Sequence, residues 1–371
     1  MPARKRIGTF LRTCIALNIE DPTELLSYLR RNGRLKGDES VVCTPLSGGV
    51  SNRTVRVGFS GGGGWVLKQA LPKLRVREDW FSDPARVHQE AAALRVTREL
   101  APAGSVPRLV FEDPEHHLLA IEAIAEPHEN WKQRLLRGLV ERAHIEQFAR
   151  WLGQVHRRSG EQCPALEPLL GPRTFFETLR LEPYYAFAAS RNPALQGFMD
   201  QLIADTRAAR LCLVHGDYSP KNVLIHQGRL IVLDYEVAHL GDPAFDLGFA
   251  LTHLLSKAHH LAHCRAGFLE GAGLFWKVYQ RASGHLGADP VLEARAVRHT
   301  LGCLLARVDG RSPLEYLRPN ERDRQRAVVA QLAAEPPSCL LELIASFATL
   351  LEAGGRIGIS AAQRGGKHGA G

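Results

Sequence analysis

The sequence predicts a two-lobed α+β fold, a small antiparallel β-rich N-lobe followed by a larger, mainly helical C-lobe. Three observations predict it. Strand-like runs with glycine-rich turns crowd the region before residue 123, and from about residue 131 the apolar spacing becomes mainly helical. Within the helical half, an acid-bearing loop, HGDYSPKN at 215–222 followed by LDYE at 233–236, sits among short β-like runs. A chain of 371 residues is long enough to build two cores.

The elements follow in order. Asp21-Pro22 opens a short helix over 21–34 that stops at Gly33. Runs at 41–46, 54–59 and 65–69, rich in Val, Leu and aromatics, read as a meander turned at Gly48-Gly49 and at 60–64. A helical pattern covers 85–100, with Val87, Ala91, Leu94 and Val96 at its apolar positions. Strands at 108–111 and 117–122 close the lobe, and 123–130, carrying Pro127, is the expected hinge. Beyond it, 211–214, 223–226 and 229–233 are β-like, and 244–258, 265–283 and 291–308 are helical. These signals divide the chain into a helical extension over 1–38, an N-lobe over 39–124 and a C-lobe over 125–353. A glycine-rich tail over 354–371 is expected to be disordered.

Composition narrows the function classes. The net charge of +8 comes from 47 Lys+Arg against 39 Asp+Glu, scattered with no long basic run interleaved with aromatics, which disfavours nucleic acid as a partner. Seven widely spread cysteines without a CxxC pair fit neither a disulfide framework nor a zinc site. No segment reaches the roughly 18 apolar residues of a membrane span. The best candidate, Leu343 to Leu351, is closed off by Glu342 and Glu352. Arg12 interrupts any signal-peptide core in the basic N-terminus, so the expected compartment is the cytoplasm.

The chemistry concentrates in two places. Phosphoryl transfer needs an acceptor hydroxyl oriented by a base, metal ions between phosphates and a cation on the phosphates. Asp217 and Asn222 show the D-x-x-x-x-N spacing that sets a base and a metal ligand on one turn. Asp234 ends the apolar run RLIVL, and a strand–turn–strand hairpin would return it beside Asn222, giving oxygen ligands suited to Mg²⁺. Glu236 falls on the same side if the backbone stays extended, as a second candidate metal carboxylate. Any one of these acids alone is an ordinary surface residue; the spacing and the flanking strands together make the signal specific.

The N-lobe supplies the matching half. In LSGGVSN (46–52), backbone amides near Ser47, Gly48, Gly49 and Ser51 could cover phosphates, although many Gly-Gly hairpins are only turns. Lys68 lies inside an apolar strand, where a buried ammonium calls for an anionic partner. Glu90 on the following helix is the best candidate, which would set Lys68 against ATP phosphates as part of the catalytic set. A solvent-facing edge lysine is the rival reading, and Arg86, one turn before Glu90, could compete as its partner. Two further segments have a functional and a structural reading of equal weight. FETLRLEPYYAFA (176–188) is either a substrate wall or core packing, and RVDGRSPLEYL (307–317) either contacts an acceptor or ends one helix and caps the next. His253, His259, His260 and His263 lack metal-ligand spacing.

These motifs resemble the aminoglycoside phosphotransferase/choline kinase superfamily, whose fold is similar to that of protein kinases, over roughly residues 40–320. The resemblance implies that Asp217 is the catalytic base and that Asn222, Asp234 and Glu236 are metal ligands. LGQVH (152–156) and DPAFDLG (242–248) also resemble family positions, the second implying that Asp246 braces the catalytic loop. Adenine would then lie at the hinge near Glu122 and Ile124, with ATP and Mg²⁺ as cofactors. KQALPKLRVREDW (68–80) with RVHQEAAAL (86–94) resembles the methylthioribose kinases, whereas HGDYSPKN and LDYE depart from that subfamily's usual loop. The expected activity is ATP-dependent phosphorylation of a small-molecule hydroxyl, with a sugar or thio-sugar such as methylthioribose as the first acceptor class. The alternatives are an aminoglycoside- or choline-type acceptor, a protein substrate, and a non-catalytic nucleotide-binding module.

Overall fold

The computed structural model describes residues 17–37, 39–46, 49–76 and 79–365, with side chains as far as 353. Ser47 and Gly48, expected near the phosphates, lie outside the described residues.

Helix α1 (Pro22–Arg31) starts where the Asp21 carboxylate accepts from the amides of Thr23 and Glu24, at 2.8 and 3.1 Å. Strands β1 (Val41–Pro45), β2 (Asn52–Phe59), β3 (Gly64–Ala70), β4 (Leu109–Asp113) and β5 (Leu118–Glu122) form one antiparallel sheet in the order β1-β2-β3-β5-β4. Period-two alternation gives this sheet two apolar faces. Val55, Val57 and Leu67 pack with Leu25 and Leu29 of α1, while Leu119 and Ile121 join the core of α2 (Arg86–Leu100) through Val87, Ala91 and Leu94. The helix expected over 85–100 and all five expected strands are present, within a few residues of their predicted ends.

The hinge is shorter than the sequence suggests. Residues 128–130 form β6 (His128–Asn130), which pairs with β8 (Val223–His226); β9 (Arg229–Val232) completes that three-stranded sheet. Three residues are too few for an alternation signal, so β6 is invisible until its partner is placed. The same holds for β10 (His239–Gly241), which pairs antiparallel with β7 (Cys212–Val214), the one strand of the two that is readable from sequence.

Helices α3 (Trp131–Leu136), α4 (Arg142–Gly160), α5 (Cys163–Leu170) and α6 (Gln196–Ala208) precede the acid-bearing loop. After it come α7 (Pro243–His260), α8 (Arg265–Ala282), α9 (Pro290–Asp309), α10 (Pro319–Ala334) and α11 (Leu340–Gly365). The last helix runs into the stretch whose composition suggests an unstructured tail. Between α5 and α6, Glu177–Ala186 winds as a π-helix around Pro183. Such a widened turn re-aims side chains and recurs at functional sites. Among the described residues no helix is long and apolar enough to cross a membrane.

Candidate active site

The acid-bearing loop is fixed from below. Asp246, in the first turn of α7, accepts the His215 amide at 2.7 Å on Oδ2 and the Gly216 amide at 2.9 Å on Oδ1. His156 of α4 sits 3.3 Å from the same carboxylate and 2.9 Å from the Tyr279 hydroxyl, so the LGQVH and DPAFDLG segments meet under the loop. Burial works against the ionised form of Asp246, but His156 and the His215 amide outweigh it and hold the carboxyl below its usual range. Tyr218 anchors the other side. Its ring stacks on Phe148 (centroids 4.0 Å apart, 7° between planes) and its hydroxyl donates to the Phe148 carbonyl at 2.7 Å.

Asp217 is thereby held at the cleft floor. Its Oδ2 accepts from Arg180 Nη2 at 2.9 Å and from Asn222 Nδ2 at 2.8 Å. No donor among the described residues reaches Oδ1, which lines the cleft with the rest of the side chain. Arg180 comes from the π-helical turn and also donates Nε to the Gly216 carbonyl at 2.8 Å. The 176–188 segment therefore does more than pack: its arginine grips the loop.

The β8–β9 hairpin does what its sequence promises. Gln227 and Gly228 take the positive φ values (49° and 74°) of a two-residue turn, and Val223 pairs with Val232. The Leu233 amide donates to the Asn222 carbonyl at 2.8 Å, which places Asp234 next to Asn222. The backbone does not stay extended between Asp234 and Glu236, yet both side chains line the same cleft. Asp234 has φ +71°, a left-handed kink, and Glu236 Oε2 is engaged by Arg86 Nε at 3.2 Å and Asn52 Nδ2 at 3.3 Å.

Lys68 lies on β3 at the centre of the sheet and not at an edge, which removes the solvent-facing reading. Its Nζ is 2.6 Å from Glu90 Oε1 and 3.1 Å from Asp234 Oδ1, bridging the two lobes. Burial alone would lower the pKa of this ammonium; Asp234 and Glu90 more than compensate and raise it. The Asp234 carboxyl is penalised by burial as well, but Lys68 and Lys221 bring it below its usual range. Arg86 does not compete for Glu90. It is fully buried, pairs with Glu236, and donates to the carbonyls of Ser51 and Leu71, tying the glycine loop to the C-lobe. The sequence left Arg86 open as a competitor for Glu90, because one helical turn separates the two, and only tertiary packing turns it to Glu236 instead.

These groups line one cleft of about 790 Å³ between the lobes. Gly49 and Ser51 stand at its roof, Glu122 and Ile124 at its hinge wall, and Lys68, Asp217, Asn222, Asp234 and Glu236 at its depth. The amide of Ile124 has no partner among the described residues, whereas the next one back, Ala123, is spent on the Gly64 carbonyl at 2.9 Å. A divalent cation fits the donor set. Asn222 Oδ1, Asp234 Oδ2 and Glu236 Oε1 face no protein donor among the described residues, and hard oxygen atoms suit Mg²⁺. Among those residues no trio of His, Cys, Asp or Glu converges on one point, so the amide oxygen of Asn222 is needed to complete the set.

A small β-lobe hinged to a helical lobe, with a buried lysine–glutamate pair facing an aspartate loop, is the protein-kinase-like fold. The model of the phosphotransferase enzyme family, APH, matches residues 42–285, and the chain belongs to that family. Among curated proteins it is 27% identical over 215 residues to methylthioribose kinase of Pectobacterium atrosepticum, covering 51% of this chain and 53% of that protein. It is 25% identical over 268 residues to methylthioribose kinase of Cronobacter sakazakii, covering 63% and 65%. The chain thus spans about half the length of the first of these relatives. Amicoumacin kinase in complex with AMP-PNP, Ca²⁺ and Ami shares the fold with a TM-score of 0.54 at 15% identity, over 86% of this chain and 96% of that one. Choline kinase from Cryptosporidium parvum does so with a TM-score of 0.54 at 11% identity, over 88% and 99%.

Proposed function

We propose that the protein transfers the γ-phosphate of Mg-ATP to a hydroxyl group of a small molecule. The observation that carries this reading is Asp217, whose Oδ2 is clamped by Arg180 and Asn222 while Oδ1 stays open at the floor of the cleft. An acceptor hydroxyl donating to Oδ1 would pass its proton there as its oxygen attacks the γ-phosphorus. The bond from that phosphorus to the bridging oxygen breaks, and ADP leaves with the electron pair. Lys68, held charged by Asp234 and Glu90, suits the phosphate oxygens; residues 39–124 would hold the nucleotide, with adenine against Glu122 and Ile124. Asn222 and Asp234, with the free oxygen of Glu236, would hold Mg²⁺, which neutralises phosphate charge when bound. The relatives named methylthioribose kinase support a sugar or thio-sugar hydroxyl as the acceptor class.

The test is ADP release from Mg-ATP by wild type and by Asp217→Ala, across methylthioribose, other pentoses, choline and aminoglycosides. Acceptor-stimulated turnover that falls by at least about 10³-fold in the variant is the expected result, as removal of a base and its positioning demands. Nucleotide binding with equal, acceptor-independent rates in both proteins would instead identify a nucleotide-binding module.

A further inference from the structure

Past Asp217 the cleft opens into a side chamber of about 240 Å³, walled by Lys132 of α3, Lys221, His253 of α7 and the segment after α9. Its charges do not balance. Lys132 is paired with Glu315, and Asp217 is taken by Arg180. Lys221 and Arg307 have no carboxylate partner among the described residues. Arg307 is 8% exposed. It spends Nη1 on the Ser312 carbonyl at 2.5 Å and on the Tyr184 hydroxyl and Ser312 Oγ, both at 3.1 Å, and lies 5.5 Å from the Tyr184 ring centroid, while its buried Nε has no acceptor among the described residues. A neutral donor would hold Tyr184 and Ser312 equally well; a buried guanidinium without a counter-charge is costly unless something else supplies the anion.

The second layer repeats the pattern. Lys257 of α7 is fully buried, with only the His253 carbonyl at 3.2 Å and the Tyr316 ring at 5.2 Å for company among the described residues. Burial, then the positive charge of Lys132, push its pKa down to about 7, with Glu315 opposing the shift and Arg307 adding to it. Burial likewise drives His253 well below its ordinary value, with Lys257 and Arg307 adding to the effect. The wall around the chamber thus carries more positive than negative charge, Glu315 being the carboxylate that faces Lys132, Lys257 and Arg307.

We propose that the chamber selects an acceptor carrying an anionic group, a carboxylate or a phosphate, seated on Arg307 and Lys221 beside the hydroxyl presented to Asp217. This deepens the kinase reading and rests on it. Within the sugar class it makes the natural acceptor an acidic or phosphorylated member, a sugar acid or a sugar phosphate, in place of neutral methylthioribose, and it excludes cationic acceptors such as choline or aminoglycosides. A rival use of the same cations, holding the phosphoryl group in flight, would be indifferent to the charge of the acceptor.

Matched probes separate these outcomes: ribose, ribonate and ribose 5-phosphate, then glycerol, glycerate and glycerol 3-phosphate. Turnover is followed as ADP release, and binding to the wild type by calorimetry with AMP-PNP present. An anionic member should exceed its neutral parent at least tenfold in kcat/KM and in affinity, the better anion telling carboxylate from phosphate. Arg307→Met should erase that preference through KM, Arg307→Lys should restore part of it, and the exposed Lys221→Ala should weaken it in a protein that folds normally. Neutral probes turned over or bound as well as their anionic partners would overturn the proposal and leave the kinase reading intact. So would an Arg307→Met loss confined to kcat and equal for charged and neutral acceptors, or no anion binding at all. Anion-selective binding that depends on Arg307, with no turnover above Asp217→Ala, would keep the chamber's assignment and overturn the kinase reading.

Discussion

At the scale of single residues, the site turns on how an aspartate is held. Two donors on one oxygen of Asp217 leave the other oxygen a single open direction, into the cleft. Arg180 supplies one of those donors while gripping the Gly216 carbonyl, so it fixes the carboxylate and the backbone beneath it together. It is a positioning residue, and its loss should show in kcat and not in the apparent affinity for ATP. Arg180→Met should lower kcat by about 10²-fold, the effect of displacing a reacting group by roughly an ångström, with KM for ATP within about twofold. Arg180→Lys should recover part of the rate, since one cation can still reach Asp217. Equal losses in both variants, tracking a fall in thermal midpoint, would reduce Arg180 to a packing residue. The segment that carries it was readable as special from its aromatics and its arginine. Its direction was not, because the π-helical winding that turns Arg180 toward Asp217 has no periodic signature in the sequence.

At the scale of elements, α7 links the loop to the rest of the C-lobe. Its first turn carries the Asp246 brace, and two residues later Gly248 faces α9 so closely that an added Cβ would lie 2.6 Å from the His299 backbone carbon. Two effects oppose each other when this glycine becomes alanine. Helix propensity favours alanine by about 1 kcal/mol, while forcing a methyl group into a closed helix contact costs about 1–3 kcal/mol. With backbone as the obstacle the clash wins. Gly248→Ala should therefore lower the urea midpoint, whereas Gly197→Ala in α6, with nothing within 4 Å of its Cβ, should leave it equal or higher. A stabilised Gly248→Ala protein would mean that α7 and α9 part at little cost. Elements of this length were legible in advance because their apolar spacing persists over several turns. The HGDYSPKN–LDYE hairpin was legible for a different reason: residue type and spacing both constrain it. Strands β6 and β10 were not, each being three residues whose identity as strand comes wholly from a distant partner. The partners of Arg86 and Glu236 were hidden likewise, since the left-handed turn at Asp234 breaks the alternation on which the sequence argument rested.

At the scale of the whole molecule, burial of titratable groups sets the response to acid. His239 is 1% exposed, tilted against Phe176 at 4.1 Å, with Nδ1 on the Val237 carbonyl and Nε2 without a partner among the described residues. Burial above all, with Arg173 and Arg210 adding to it, pushes its pKa down to about 4, against the pull of the Val237 carbonyl. His215 and His253 are shifted in the same direction, burial again leading. In the unfolded chain each returns to about 6.5. Between that value and the folded one only the unfolded state takes up the proton, so stability is complete above about pH 6.5 and falls as the pH drops. At pH 5 the gap for His239 is about 1.5 units, on the order of 2 kcal/mol at roughly 1.4 kcal/mol per unit. The buried carboxylates Asp242 and Asp246, whose folded values are lowered, also lose stability on acidification, but only as the pH falls below about 4, where the unfolded carboxyls titrate. Across the window from pH 7.5 to 5 the buried Glu90 carboxyl works the other way: burial raises it to about 7, so the folded state takes up its proton and gains stability as the pH falls. The share of His239 is therefore read as a difference. In urea unfolding at low salt the wild type should lose about 2 kcal/mol more than His239→Gln between pH 7.5 and 5. Equal pH slopes in the two proteins would mean that the His239 ring reaches water, and with it a proton, without the lobe coming apart.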